Sequence, residues 1–302
     1  MNKLYQYLYG AAAVFALVAC NIEPASADNQ CRRNTFVNPK EAADFWTPER
    51  RARAKPVDMP VLPDSALGPE LEIDGSSRTP GSGVPYVADL SRAPFQSGGR
   101  LMFLDADGDE SWCSAEFAGA GNILLTAAHC VRDPQSGGWN SNFLFERVYG
   151  GEDSEVFQVA EMTVRSEWHD GQNPDPVYDY AFLVAARDYG SPLELFYGDA
   201  GDDLTSFGYP INYGHGHVMY AVRGYLSTRT AGLILMQDNP MRHGSSGGAW
   251  VETDEKNGPG RRIYGLNSHA ASGIQNAVWS PVLDATTEAL FNYATTKPCH
   301  RI

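Results

Sequence analysis

The chain has 302 residues, 43% of them hydrophobic and 20% charged, with a formal net charge of −14. That is ordinary globular composition, long enough for one large domain or two small lobes. The acidic balance favours solubility and argues against nucleic acid or anionic membranes as partners; it says little about a substrate, which is selected in a pocket.

Residues 1–27 read as a targeting segment. Lys3 is the only early charge, Ala11 to Ala19 form an apolar core, and Ala25-Ser26-Ala27 fits a small-residue cleavage site before Asp28. The apolar run is too short to span a membrane, and no later stretch approaches the ~18 uninterrupted apolar residues that a span needs. Leu17-Val18-Ala19-Cys20 offers a competing reading as a bacterial lipobox, with Cys20 lipidated as the mature N-terminus. Cleavage after Ala27 is slightly favoured. Either way the protein leaves the cytoplasm, as a secreted or periplasmic chain or a lipid-anchored envelope protein. A lipid on Cys20 is the only membrane attachment expected.

Residues 28–90 form a Pro/Gly/Ser-rich extension with few long apolar runs. Pro48-Glu49-Arg50-Arg51-Ala52-Arg53-Ala54-Lys55-Pro56 is a basic cluster. It reads either as a solvated segment or as part of a propeptide with a processing site. Glycine and proline from Pro80 to Pro85 mark a linker ahead of a domain over residues 91–302.

From Leu101 onward, short strand-like runs alternate with turns. Leu101-Met102-Phe103-Leu104 precedes the acidic stretch Asp105-Ala106-Asp107-Gly108-Asp109-Glu110. A calcium loop is disfavoured because its sixth position is Glu110 rather than glycine, and the flanks read as strands. A hairpin turn at Asp107-Gly108 is the better reading. Further strands are expected at Val156–Val159, Ala181–Ala185, Thr205–Tyr209, Val218–Val222, Leu233–Met236, Ala249–Glu252 and Ile263–Asn267. Many short strands between Gly/Pro/Asn turns indicate an all-β barrel or sandwich. Asp284 to Ala294 reads as a C-terminal helix, with Leu290 and Phe291 packing against a barrel.

Three stretches carry chemistry. Gly244-Ser245-Ser246-Gly247-Gly248-Ala249 lies between strand-like runs. Such a turn can hold one hydroxyl outward while backbone N–H groups converge on a point, as a serine nucleophile and its oxyanion hole require. Ile123-Leu124-Leu125 runs into Thr126-Ala127-Ala128-His129-Cys130, placing an imidazole at a strand end. Tyr178-Asp179-Tyr180 opens the apolar run Ala181-Phe182-Leu183-Val184 with an acid. A serine nucleophile needs a base, and that base needs a buried carboxylate. His129, Asp179 and Ser246 supply those roles. Asp175 competes with Asp179, which is preferred because the adjoining apolar run would bury it.

Together these residues resemble the trypsin/chymotrypsin superfamily of serine proteases. Thr126-Ala127-Ala128-His129-Cys130 matches its histidine motif, and Gly244-Ser245-Ser246-Gly247-Gly248 matches its Gly-Asp-Ser-Gly-Gly except at Ser245. Tyr178-Asp179-Tyr180-Ala181 looks like the aspartate motif of the bacterial glutamyl-endopeptidase branch, and the His–Asp–Ser order is the family's. The resemblance covers about residues 90–295. It implies two six-stranded antiparallel β-barrels with the site between them, His129 and Asp179 from the first and Ser246 from the second. It also implies an oxyanion hole from the N–H groups of Gly244 and Ser246, a peptide or protein substrate and no cofactor or metal. A monomer is expected.

Of Cys20, Cys31, Cys113, Cys130 and Cys299, loss or lipidation of Cys20 leaves an even set. Spacing and the family's own disulfide at this place suggest Cys113–Cys130, worth about 3 kcal/mol in the chain-entropy model. By elimination Cys31 pairs with Cys299. Two departures limit the carry-over. Ser245 replaces the acid that pairs with a freed N-terminus in trypsin-like zymogens, and no Ile-Val-Gly-Gly start lies near residue 90. Activation then has to proceed otherwise, for instance by loss of the 28–90 extension. For the substrate pocket, Asn267 aligns with the substrate-binding histidine of the glutamyl-endopeptidase branch, His269 falls two residues later, and Pro240 stands where trypsin has its acid. Asp238 is near but off register.

His243 is a candidate to line the cleft, His215-Gly216-His217 reads as a loop rather than a metal site, and His169 and His300 have no assigned role. The competing functional classes are a catalytically silent binding protein on the same fold and an esterase.

Overall fold

The computed structural model describes residues 29–299, apart from 37, 64–70, 73–82, 170, 172, 199–200, 231, 255–257 and 297–298. The targeting segment, Cys20, His300 and the start of the Pro80–Pro85 linker lie outside the described residues.

The extension supplies β1 (Asn29–Arg33), α1 (Pro39–Phe45), α2 (Pro48–Arg53), β2 (Lys55–Pro56), β3 (Val61–Leu62), β4 (Leu71–Glu72) and β5 (Tyr86–Val87). Then come β6 (Gly98–Leu104), β7 (Glu110–Phe117), β8 (Ile123–Thr126), β9 (Ser141–Arg147), β10 (Glu155–Arg165) and β11 (Ala181–Ala185). These last six pair in the order β9-β6-β7-β8-β11-β10, and β10 pairs back onto β9, so the barrel closes. Closure removes the exposed edges that would invite aggregation. Its interior is aromatic: Phe117 meets Phe145 and Phe157 edge-on at 5.4 and 4.8 Å, a geometry the ring quadrupoles favour. The turn joining β6 to β7 is a hairpin as expected. Gly108 takes φ +89°, and the Asp105 carboxylate accepts the N–H groups of Asp107 and Asp109.

The second sheet takes in β3, β4 and β5 of the extension together with β12 (Glu194–Leu195), β13 (Asp203–Gly208), β14 (Tyr220–Arg229), β15 (Leu233–Gln237), β16 (Ala249–Asp254), β17 (Gly258–Leu266), β18 (His269–Ala271) and β19 (Ala277–Pro281). Its main order is β17-β16-β13-β14-β15-β19. The Leu266 N–H donates to Ser280 Oγ at 2.9 Å, drawing β17 towards β19. A helix, α3 (Ala285–Thr295), follows. The Asp284 carboxylate accepts the N–H groups of Thr286 and Thr287 and caps its start. Leu290 is buried, and Phe291 meets Phe182 of the first barrel at 5.5 Å. Two antiparallel β-barrels and a C-terminal helix are therefore the observed architecture.

The extension is not a solvated segment. Trp46 is wholly buried and donates its indole N–H to the Asn142 carbonyl at 2.6 Å. The Asn34 side chain donates to the carbonyls of Phe143 and Val159 and accepts the Phe143 N–H. The basic cluster folds into α2, where Arg50 and Arg53 pair with Glu110 and Arg51 with Glu146. Long apolar runs are missing because single side chains between prolines do the anchoring. The disulfides are Cys113–Cys130 and Cys31–Cys299, with Cα separations of 6.2 and 5.8 Å. The second ties the start of the extension to the end of the chain.

Candidate active site

His129 owes its place to β8. The run Ile123–Thr126 is fully buried, and after Ala127 the chain makes one 3₁₀ turn, Ala128–Cys130, pinned to β7 by the Cys113–Cys130 disulfide. β11 pairs antiparallel with β8, with Ala181 opposite Thr126. The residues just outside the pair, Asp179 and His129, therefore meet. The Asp179 Oδ1 accepts the His129 backbone N–H, and its Oδ2 lies against His129 Nδ1, both at 2.8 Å. Asp175, its competitor, is spent locally: its carboxylate accepts the Val177 N–H at 3.0 Å.

Asp179 is wholly buried. Burial alone would push its carboxyl up, but the facing His129, with His269 and Ser268 beside it, holds it down at about 2. Ser268 Oγ donates to Asp179 Oδ2 at 2.6 Å. The His269 ring shares this spot, with Nδ1 2.5 Å from Ser268 Oγ and 3.5 Å from Asp179 Oδ2. Burial lowers the His269 imidazole to about 4, against the pull of Asp179, so it is neutral at pH 7. Ser268 was not singled out from sequence. Its one signal is its place just beyond the apolar run that forms β17, next to a histidine.

Ser246 sits in a turn whose glycines are required. Gly244 and Gly247 take φ +85° and +84°. A Cβ on Gly244 would lie 2.7 Å from the Tyr209 carbonyl oxygen, and one on Gly247 2.1 Å from Thr126 Oγ1. The turn is keyed to the first barrel: the Ser246 carbonyl accepts the Ser114 N–H at 2.8 Å, and Cys130 Sγ lies 3.9 Å from the same oxygen. Ser245 replaces an acid with a local tie, its hydroxyl donating to the Arg242 carbonyl at 2.8 Å. Ser246 has no exposed surface and His129 only 2%. Among the described residues, neither Ser246 Oγ nor His129 Nε2 has a hydrogen-bond partner.

Around the candidate substrate pocket, Asn267 is saturated. Its Oδ1 accepts from Ser206 Oγ, Asn239 Nδ2 and Trp250 Nε1 at 2.9, 3.0 and 2.8 Å. Pro240 is buried, and its carbonyl accepts from Asn212 Nδ2 at 2.9 Å. His269 stands against Asp179 as described. His243 Nδ1 accepts the Met59 N–H at 2.8 Å. His215, Gly216 and His217 lie in a loop, and the His217 ring stacks on Tyr149 at 6.3 Å. His169 Nδ1 accepts the Gly171 N–H.

No family model matches the chain, and no curated protein matches it in sequence. Solved structures do match it in shape. One is the protease Anisep from Arthrobacter nicotinovorans, at 22% identity and TM-score 0.58, covering 70% of this chain and 99% of that one. Another is a Glu endopeptidase in complex with MPD, at 20% identity and TM-score 0.57, covering 70% and 96%. A third is the thermostable serine protease AL20 from an extremophilic microorganism, at 22% identity and TM-score 0.55, covering 68% and 99%. The fold is that of the chymotrypsin-like serine proteases.

Proposed function

We propose that this chymotrypsin-like chain is an exported serine endopeptidase. Ser246 attacks the carbonyl of a peptide bond, His129 Nε2 takes the hydroxyl proton, and the N–H groups of Gly244 and Ser246 receive the developing oxyanion. His129 then protonates the leaving amine, and water releases the acyl-enzyme. The observation that carries this reading is the buried 2.8 Å contact between His129 Nδ1 and Asp179 Oδ2. An ionised Asp179 holds the proton on Nδ1 and leaves the Nε2 lone pair free to act as base. One oxyanion donor is worth about 3 kcal/mol of barrier, so the turn conformation that these glycines permit matters as much as the hydroxyl.

The chemistry calls for no cofactor or metal, and the partner is a protein or peptide substrate. Both disulfides suit an oxidising compartment, in keeping with a secreted or periplasmic chain. Pro240, Asn267 and His269 frame the candidate substrate pocket. A substrate carboxylate would have to be met by the Asn267 Nδ2 donor, and that group already donates to the Ser245 carbonyl at 3.3 Å and faces Met241 Sδ at 3.9 Å.

The test is labelling by a fluorophosphonate probe, with Ser246→Ala and His129→Ala beside the native chain. Labelling that both substitutions abolish supports an activated serine. No labelling, even after the cleft has been opened as described below, sinks the protease reading in favour of a silent binding protein.

A further inference from the structure

Part of the extension runs beside the turn that carries Ser246 and bonds to Gly244 within it. β2 runs parallel to β7, with Lys55 opposite Ser111 and Pro56 opposite Trp112, and the Val57 N–H continues the ladder to the Trp112 carbonyl at 3.0 Å. The Val57 carbonyl then accepts the Gly244 N–H at 3.2 Å. That N–H is one of the two donors assigned to the oxyanion. Next, the Met59 N–H reaches His243 Nδ1, and the Pro60 carbonyl accepts the Ala270 N–H at 2.8 Å. β3 finishes the crossing in parallel with β18, Val61 opposite Ala270 and Leu62 opposite Ala271.

The side chains fit this path. Met59 and Leu62 are each 3% exposed, whereas Val61 between them is 63% exposed. Met59 joins the apolar cluster of Met236, Trp250, Ala270 and Val278, and Leu62 joins that of Leu233, Leu235, Ala277 and Trp279. The strap thus runs from β7 to β18 and touches the Ser246 turn at Gly244.

Building on the reading of Ser246 as nucleophile, we propose that residues 55–62 are a built-in inhibitory strap. It seats the Val57 carbonyl on the Gly244 N–H and keeps the enzyme latent until it is displaced. The strap is held on both sides of Val57, which makes it an inhibitor rather than a substrate. Were Ser246 Oγ to add to the Val57 carbonyl, the C–N bond to Asp58 would break. The serine proton would pass through His129 to the new Asp58 amine. That amine would stay beside the ester, anchored by the Met59 and Pro60 hydrogen bonds and two buried side chains, and would re-form the peptide bond.

The test compares the chain with its extension intact against the strap variant Met59→Asp/Leu62→Asp and the milder Met59→Ala/Leu62→Ala, each checked by thermal unfolding. Two quantities are read: the rate of fluorophosphonate labelling, and amide hydrogen exchange over 242–246 and 268–272. Because the probe reacts only with the open fraction, labelling should rise roughly tenfold or more in the aspartate variant and less in the alanine variant. Exchange at both segments should quicken in the same order.

Equal, fast labelling of native chain and variants would overturn the strap while leaving Ser246 as nucleophile. If no form labels, the protease reading falls and the inhibitory role falls with it; protection of 268–272 lost in the variants would then show only that the segment is seated on β18. A native chain found cut between Val57 and Asp58, by mass after reduction and unfolding, would make the segment a substrate and overturn its inhibitory role.

Discussion

At the residue scale, the most informative side chain is His269, a second imidazole on the carboxylate that already serves His129. Burial holds it at about 4, against an ordinary value of 6.5. In the unfolded chain it takes up a proton as pH falls through 6.5, while the folded chain resists until about 4. The unfolded state binds more protons across that window, so stability is lost as pH drops through it. The His269→Gln variant lacks this titration. Its unfolding free energy, from urea titrations between pH 7 and 4, should fall less steeply than the native value, by up to about 1.4 kcal/mol per pH unit. Parallel pH profiles for the two chains would show that His269 takes up its proton equally well in both states. The same ring is oriented by its Nδ1, which is engaged by Ser268 and Asp179.

At the element scale, β7 joins the two halves of the site. Its Ser114 donates a backbone N–H to the Ser246 carbonyl; its hydroxyl donates to the Gly244 carbonyl and accepts the Tyr209 N–H, both at 2.9 Å. Ser114→Ala strips two buried backbone groups of their partner and should cost about 1–3 kcal/mol, read as a lowered midpoint in thermal unfolding. An unchanged midpoint would mean that water replaces the hydroxyl. Elements of this kind differ in how plainly the sequence announces them. β11 was legible to the residue, because Ala181–Ala185 is one apolar run buried on both faces. The helix α3 was legible from its apolar spacing, which sets Leu290 and Phe291 against a barrel. By contrast β9 went unnoticed, its apolar core being only Phe143-Leu144-Phe145 between polar ends, and β19 ends in Pro281, which reads against a strand. His129, Asp179 and Ser246 were legible because each ends or interrupts a short apolar run with a chemically distinctive residue. The strap was not: its backbone hydrogen bonds through Val57, Met59 and Pro60 leave no side-chain signature, and its two buried side chains, Met59 and Leu62, are isolated among prolines rather than part of an apolar run.

At the scale of the whole molecule, the extension has two parts with opposite consequences. Residues 29–54 are built into the first barrel: β1 pairs with β10, Trp46 is buried, Asn34 ties β9 to β10, and Cys31 is bonded to Cys299. Residues 55–62 cross the cleft. Loss of the entire 28–90 segment would open the cleft but also remove β1 and Trp46, and a large aromatic lost from a core costs about 3–5 kcal/mol. A truncated chain starting at 91 should therefore unfold at a markedly lower temperature than the full chain, or fail to fold, whatever its activity. A single cut engineered between residues 64 and 82 should behave differently. The released fragment carries Cys31, so it stays covalently attached through Cys299 and keeps β1 in register with β10. On a non-reducing gel the cut chain should run as one species and separate into two only after reduction. Its labelling rate should change far less than that of Met59→Asp/Leu62→Asp, because the strap remains anchored from its N-terminal side. If the single cut alone gave full labelling, the anchorage through α2 and β2 would be too weak to hold the strap, and the segment after β3 would be the true tether.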